Sequence, residues 1–120
     1  MSTEINEYVD TTTVGSLKSL FADRFINIAN QYFDDFEQNQ IKINSLINEQ
    51  KYLEVSRIAH GLKGNSLNMG SAKLAVCCSS LEDQLKSADI NKIKEEYQKL
   101  QIVYPVAKEK YLSYISQNNS

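Results

Sequence analysis

Residues 55–70 read Val55-Ser56-Arg57-Ile58-Ala59-His60-Gly61-Leu62-Lys63-Gly64-Asn65-Ser66-Leu67-Asn68-Met69-Gly70, and the spacing within this run decides the fold. An α-helix turns about 100° per residue. Val55, Ile58, Ala59, Leu62, Ser66 and Met69 then fall on one stripe, the i, i+3, i+4, i+7 pattern of a helix that buries one side. Gly70 suits the C-terminus of that helix. His60, the chain's single histidine, lies roughly 150° from the middle of the stripe by the same step, so it is expected in water. Ser56 and Arg57 are its surface neighbours one turn before, and Lys63 and Gly64 one turn after. Leu53 and Leu67 lie two turns away on the same side.

The rest of the chain reads as helix as well. Val14, Leu17 and Leu20 predict a short first helix. Phe21, Phe25, Ile28 and Tyr32, continued by Ile43 and Leu46, predict a long second one ending in a turn at Asn48-Glu49-Gln50. After Gly70, Ser71 can cap a helix whose stripe is Leu74, Cys78, Leu81 and Leu85. Asp89 is a good cap for the last helix, which carries Ile93, Tyr97, Leu100, Tyr104, Ala107, Tyr111 and Tyr114. Pro105 falls inside it and should kink it, because proline removes a hydrogen bond and crowds the preceding turn. Residues 1–12 show no periodicity and are expected to be a flexible tail, leaving residues 13–117 as the domain. Four long one-sided helices with short connections predict an all-α, antiparallel four-helix bundle, with the short N-terminal helix over one end.

His60 narrows the chemistry. Zinc and similar ions need three or four His, Cys or carboxylate ligands, and this chain offers one histidine and two adjacent cysteines. No nucleophile elbow or Cys-containing catalytic motif accompanies the histidine. Imidazole can itself form covalent intermediates, and near pH 7 much of it is neutral. Gly64 costs about 0.5–1 kcal/mol relative to alanine inside a helix. With no side chain at that spot, one side of the imidazole is open to a bulky partner. Lys63 adds a flexible point charge suited to phosphate oxygens.

The run from His60 to Gly70 resembles the signature of histidine-containing phosphotransfer (HPt) domains. Leu74, Cys78, Leu81 and Glu82 resemble the family's following helix, and the upstream aromatic helix and Ala59 fit too. The likeness extends from about Val14 to about Ile115. Two positions depart from the pattern: Asn65 stands where a small Ser or Ala is usual, and Gly61 where a larger residue is usual. The resemblance implies a phosphorelay carrier in two-component signalling. His60 would accept a phosphoryl group from an aspartyl phosphate on a receiver domain and pass it to another receiver's aspartate, with Nε2 attacking. Lys63 would offset charge on the moving group, Gly64 would permit close approach, and Glu82 would orient the ring through Nδ1. Ser56 and Arg57 stand as supporting neighbours. Leu53, Leu67 and Gly61 form the expected docking surface, since exposed apolar residues grouped around a polar site often mark one.

The chain shows no Gly-rich nucleotide loop, Walker motif or kinase signature, so it is not expected to bind ATP or phosphorylate itself. No cofactor of its own is expected; Mg²⁺ would sit on the partner receiver. The expected partners are response-regulator receiver domains or a hybrid sensor histidine kinase. A net charge of −2 gives no reason to expect nucleic-acid binding. No apolar stretch is long enough to span a membrane, and the polar, acidic N-terminus is unlike a signal peptide, which together predict a cytoplasmic protein. Cys77 and Cys78, neighbours in sequence, read as reduced thiols. A length of 120 residues and 42% hydrophobic content suit one domain, expected to be monomeric and free-standing. The alternative reading is a non-catalytic bundle that binds a response regulator without passing phosphate; an incidental histidine would leave the lysine-glycine setting unexplained.

Overall fold

A computed structural model of the chain describes residues 3–117, and the regular elements among them are all helical. In order they are α1 (Thr3–Tyr8), α2 (Thr11–Phe21), a 3-10 turn (Ala22–Arg24), α3 (Phe25–Asn48), α4 (Tyr52–Met69), α5 (Ala72–Leu85) and α6 (Ile90–Gln117). Helices α3 to α6 form the bundle. α3 packs on α4 and α6, and α5 packs on the same two, which closes the four into a ring. The links 49–51, 70–71 and 86–89 are so short that successive helices run antiparallel. α2 lies against α3 and α4.

The expected stripes of α4 and α5 face inward, whereas Leu20, expected on the α2 stripe beside Val14 and Leu17, is 71% exposed. Val55, Ala59, Leu62 and Ser66 of α4 are buried, as are Leu74, Cys78, Leu81 and Leu85 of α5. On α6 the stripe ends at Ile115 rather than Tyr114, which is half-buried. Its tyrosines use their hydroxyls: Tyr104 shares its one proton between Glu37 Oε2 at 2.7 Å and the Phe33 carbonyl at 3.0 Å, Tyr97 donates to the Gln40 carbonyl at 2.8 Å and Tyr111 to the Met69 carbonyl at 2.6 Å. A buried aromatic with a polar tip needs such a partner, and here the bonds tie α6 to α3 and to the end of α4. The ring of Phe33 meets Tyr111 edge-on at 5.3 Å, and Phe36 stacks on Tyr104 at 5.0 Å. α6 runs through the exposed Pro105 without ending.

Helix ends follow local chemistry. Asp89 accepts from the backbone N–H of Asn91 at 3.0 Å and of Lys92 at 3.3 Å. Gly70 closes α4 with φ of +75°, a left-handed conformation that glycine adopts without penalty. It is doubly constrained, because a Cβ there would lie 3.0 Å from Val14 Cγ2 and 3.1 Å from the Asp10 carbonyl. Ser71 differs from expectation. It holds the cap position of α5, but its hydroxyl makes no capping bond and is buried without a partner among the described residues.

Two boundaries correct the sequence reading. Phe21 does not begin the long helix; it ends α2, and Ala22, at φ of 51°, turns the chain before α3 starts at Phe25. Both aromatics pack toward the same core, so their spacing runs unbroken across a junction that no glycine or proline marks. Residues 1–12 are not simply a flexible tail. Met1 and Ser2 lie outside the described residues, but α1 is helical, Val9 is fully buried, and Ile5 and Tyr8 pack on the core. Lys73 bonds Glu7 at 3.1 Å and, with Lys110, faces the Tyr8 ring. The Asp10 N–H donates to the Gly70 carbonyl at 2.8 Å. Fewer than two helical turns are too short to establish a period, and tertiary contacts hold the segment in place.

Candidate functional site

α4 presents His60 to solvent midway along the bundle, with its side chain 73% exposed. Ala59 on one side and Leu62 on the other are buried, which fixes the helix phase and therefore the direction of the imidazole. Across the α4–α5 hairpin, Glu82 places Oε2 3.0 Å from His60 Nδ1. The neighbouring Leu81 is fully buried, so α5 cannot roll without disturbing the core. An ionised carboxylate only accepts hydrogen bonds. In the neutral ring with its proton on Nδ1, that nitrogen donates to Glu82 and Nε2 keeps its lone pair.

The surroundings on α4 are open. A Cβ on Gly61 or on Gly64 would meet nothing within 4 Å, so neither glycine is needed for packing, and neither has a positive φ. Lys63 is half-buried, Ser56 half-buried and Arg57 exposed. Among the described residues Lys63 and Arg57 have no ion-pair partner. Leu53 is 67% exposed and Leu67 56% exposed, so Leu53 does not pack beneath α2. His60, Lys63, Gly64 and Glu82 thus converge on one face, with the two leucines above and below on α4.

The cysteines belong elsewhere. Cys78 is fully buried and Cys77 half-buried, both free. Burial pushes the Cys78 thiol up to about 12 and raises that of Cys77, the reverse of the lowered values that make reactive thiolates. No group of three His, Cys, Asp or Glu close enough to hold a metal ion occurs among the described residues. No helix there is long and apolar enough to cross a membrane.

One feature beside the site is marked by no single helix's periodicity. α3 and α4 flank an apolar groove containing Ile41, Leu46 and Ile58. Ile41 lies off the α3 stripe, and only the pairing of the two helices makes it part of a surface.

The family model for the Hpt domain matches residues 27–103, from the N-terminal half of α3 to well within α6. The chain belongs to the Hpt domain family, the phosphorelay carriers of two-component signalling, whose members interact with receiver domains and kinases. No curated protein and no solved structure matches it.

Proposed function

We propose that His60 is the phosphoacceptor, taking a phosphoryl group from an aspartyl phosphate on one receiver domain and giving it to an aspartate on another. The observation that carries this reading is the His60–Glu82 contact: an exposed imidazole held through Nδ1, with Nε2 free, on the family's matched segment.

The Nε2 lone pair attacks phosphorus, the P–O bond to the donor aspartate breaks, and its electron pair leaves with the carboxylate. The ring then bears a positive charge, with the Nδ1 proton still facing Glu82, and the carboxylate offsets that charge. In the second half-reaction an acceptor carboxylate attacks phosphorus, and the N–P electron pair returns to Nε2. Phosphoryl transfer needs little beyond in-line positioning and charge stabilisation. Lys63 supplies a mobile cation to the phosphoryl oxygens, and Gly61 and Gly64 leave room for the receiver. Leu53 and Leu67 give it apolar contact on both sides, and Ser56 and Arg57 border the imidazole. The Mg²⁺ that the chemistry requires is assigned to the receiver. This reading makes receiver domains, free or within a hybrid kinase, the partners.

The test is label transfer from pre-phosphorylated receiver domains to the native chain and to His60→Gln. Acid-labile label on the native chain alone is the expected result. Label on both, or on neither with receivers that phosphorylate other carriers, would overturn the assignment. Since the side chain is exposed, the substitution should alter stability by less than about 0.5 kcal/mol.

A further inference from the structure

Ala22 breaks a helix that its neighbours would continue. Leu17, Phe21, Phe25, Ile28 and Tyr32 keep threes-and-fours spacing straight through the break, and residues 18–26 contain neither glycine nor proline. Ala22 nevertheless has φ of 51° and ψ of −126°, a combination that glycine reaches easily and alanine only at a cost. α3 then starts at Phe25 with no side-chain cap, although the first N–H groups of a helix need partners. On either side of the joint, Leu20 is 71% exposed and Ile26 42% exposed. Local preference here is for one continuous helix.

Tertiary contacts hold the chain folded back against that preference. Residues 3–21 form an arm that touches α5 and α6 through α1 and touches α4 through α2. The arm buries Val9 and Val14. It pairs Glu7 with Lys73 at 3.1 Å and gives the Asp10 N–H to the Gly70 carbonyl at 2.8 Å. Within one copy, the arm reaches these places only if the helix breaks at Ala22. A straight helix from Thr11 to Asn48 would be roughly 57 Å long and would carry the arm off its own bundle. The same contacts are then open to it on a second copy, so two copies satisfy both the local and the tertiary demand.

We infer that two copies of this chain exchange their N-terminal arms, residues 3–21, with Ala22 as the joint that straightens. A short connection under strain invites such an exchange. The contacts of α1 and α2 with α4, α5 and α6 are remade on the second copy, and the strain at Ala22 is released twice. The two joints lie side by side, which gives Leu20 and Ile26 cover. His60 lies about 15 Å from Gly70 along α4, so each copy keeps its imidazole in water. The inference is independent of the carrier reading; on that reading, the exchanged dimer presents two acceptor faces.

The experiment refolds a mixture of isotopically light and heavy chains from urea at millimolar concentration and separates monomer from dimer by size. A zero-length carbodiimide then joins Glu7 to Lys73, and mass spectrometry reads which chains each cross-link connects. The native chain is compared with Ala22→Gly. Ala22 is exposed, so losing its methyl group costs no packing, and thermal melts check that the variant is folded. The expected result is a dimer fraction that reverts slowly on dilution and carries Glu7–Lys73 cross-links between light and heavy chains, while the monomer fraction carries them within one isotope. Glycine accepts the folded-back angles and is worse in a continuous helix. Ala22→Gly should therefore lower the association constant roughly tenfold per joint and a hundredfold per dimer. No dimer at millimolar concentration, a dimer whose cross-links stay within one isotope, or an association constant for Ala22→Gly within about twofold of the native value would each overturn the inference.

Discussion

Gly64→Ala should make the protein more stable and worse at its task. The added Cβ meets nothing within 4 Å, so the free protein suffers no clash. Glycine inside a helix is about 0.5–1 kcal/mol less favourable than alanine, mainly because the unfolded chain has more freedom to lose. A gain of that size raises the melting temperature by roughly 2–5 °C for a domain of this length. Gly61→Ala should give a similar gain for the same reason. The functional effect has the opposite sign. Residue 64 covers the spot one turn along from His60 on the same face, where, if His60 is the phosphoacceptor, a receiver would bring its aspartate in line with Nε2. A methyl group there forces the partner outward, and a displacement of about 1 Å can cost about a hundredfold in rate.

The assay is the time course of label transfer from a phosphorylated receiver at limiting concentration, beside thermal denaturation followed by circular dichroism. Gly15→Ala is the internal control. Gly15 sits within α2, exposed, and a Cβ there also meets nothing, so it should share the stability gain and leave transfer alone. A lower melting temperature for Gly64→Ala would show that the fold needs the glycine after all. Unchanged transfer would remove close approach as its reason.

Glu82→Ala should slow phosphate acceptance by about 10- to 150-fold, since losing a charge-assisted hydrogen bond is worth about 1.5–3 kcal/mol; Glu82→Gln, which keeps an acceptor oxygen near Nδ1, should recover part of the rate, and equal loss in both would point to charge rather than orientation. Gly70→Ala should destabilise by roughly 2–4 kcal/mol, from the left-handed backbone and the crowding against Val14 and Asp10, measured by urea denaturation; an effect below about 1 kcal/mol, less than the backbone term alone, would contradict the constraint. Glu37 is held below the usual carboxylate range by its hydrogen bond from Lys108 at 2.8 Å and then by that from Tyr104 at 2.7 Å. A carboxyl lowered on folding stabilises above its unfolded pKa and loses that contribution as pH falls through the folded value. The melting-temperature gap between the native chain and Glu37→Gln should therefore be present at neutral pH and close in acid; a gap independent of pH would refute the linkage.

What the sequence made legible follows the length of each signal. α4 and α6 carry apolar residues at threes and fours over several turns, and each lies where that period puts it. Gly70 and Asp89 mark helix ends by chemistry that one residue can carry. The junction at Ala22 has no such mark, and non-glycine residues at positive φ, such as Gln50 with φ of 58° and Ala88 with φ of 55°, are invisible to rules that look for glycine. α1 is six residues long, so Ile5, Tyr8 and Val9 give the i, i+3, i+4 spacing only once, too little to establish a period.

The candidate site divides along the same line. The exposure of His60 is a property of one helix and can be computed from its own residues. The contact between His60 and Glu82 joins positions 22 residues apart and was expected only through the family resemblance, not from either helix's own pattern, and the groove at Ile41 joins α3 to α4. Both depend on the register of one helix against another, which the α4–α5 turn at Gly70 and the buried Tyr32–Ser66 hydrogen bond help to set. Burial pushes the Tyr32 phenol up to about 12, so it stays protonated and able to donate throughout the physiological range. That bond sits on the core side of α4 while His60 sits on the water side. The interior polar pair thus helps fix where α4 rests against α3, and so how the His60 face is presented.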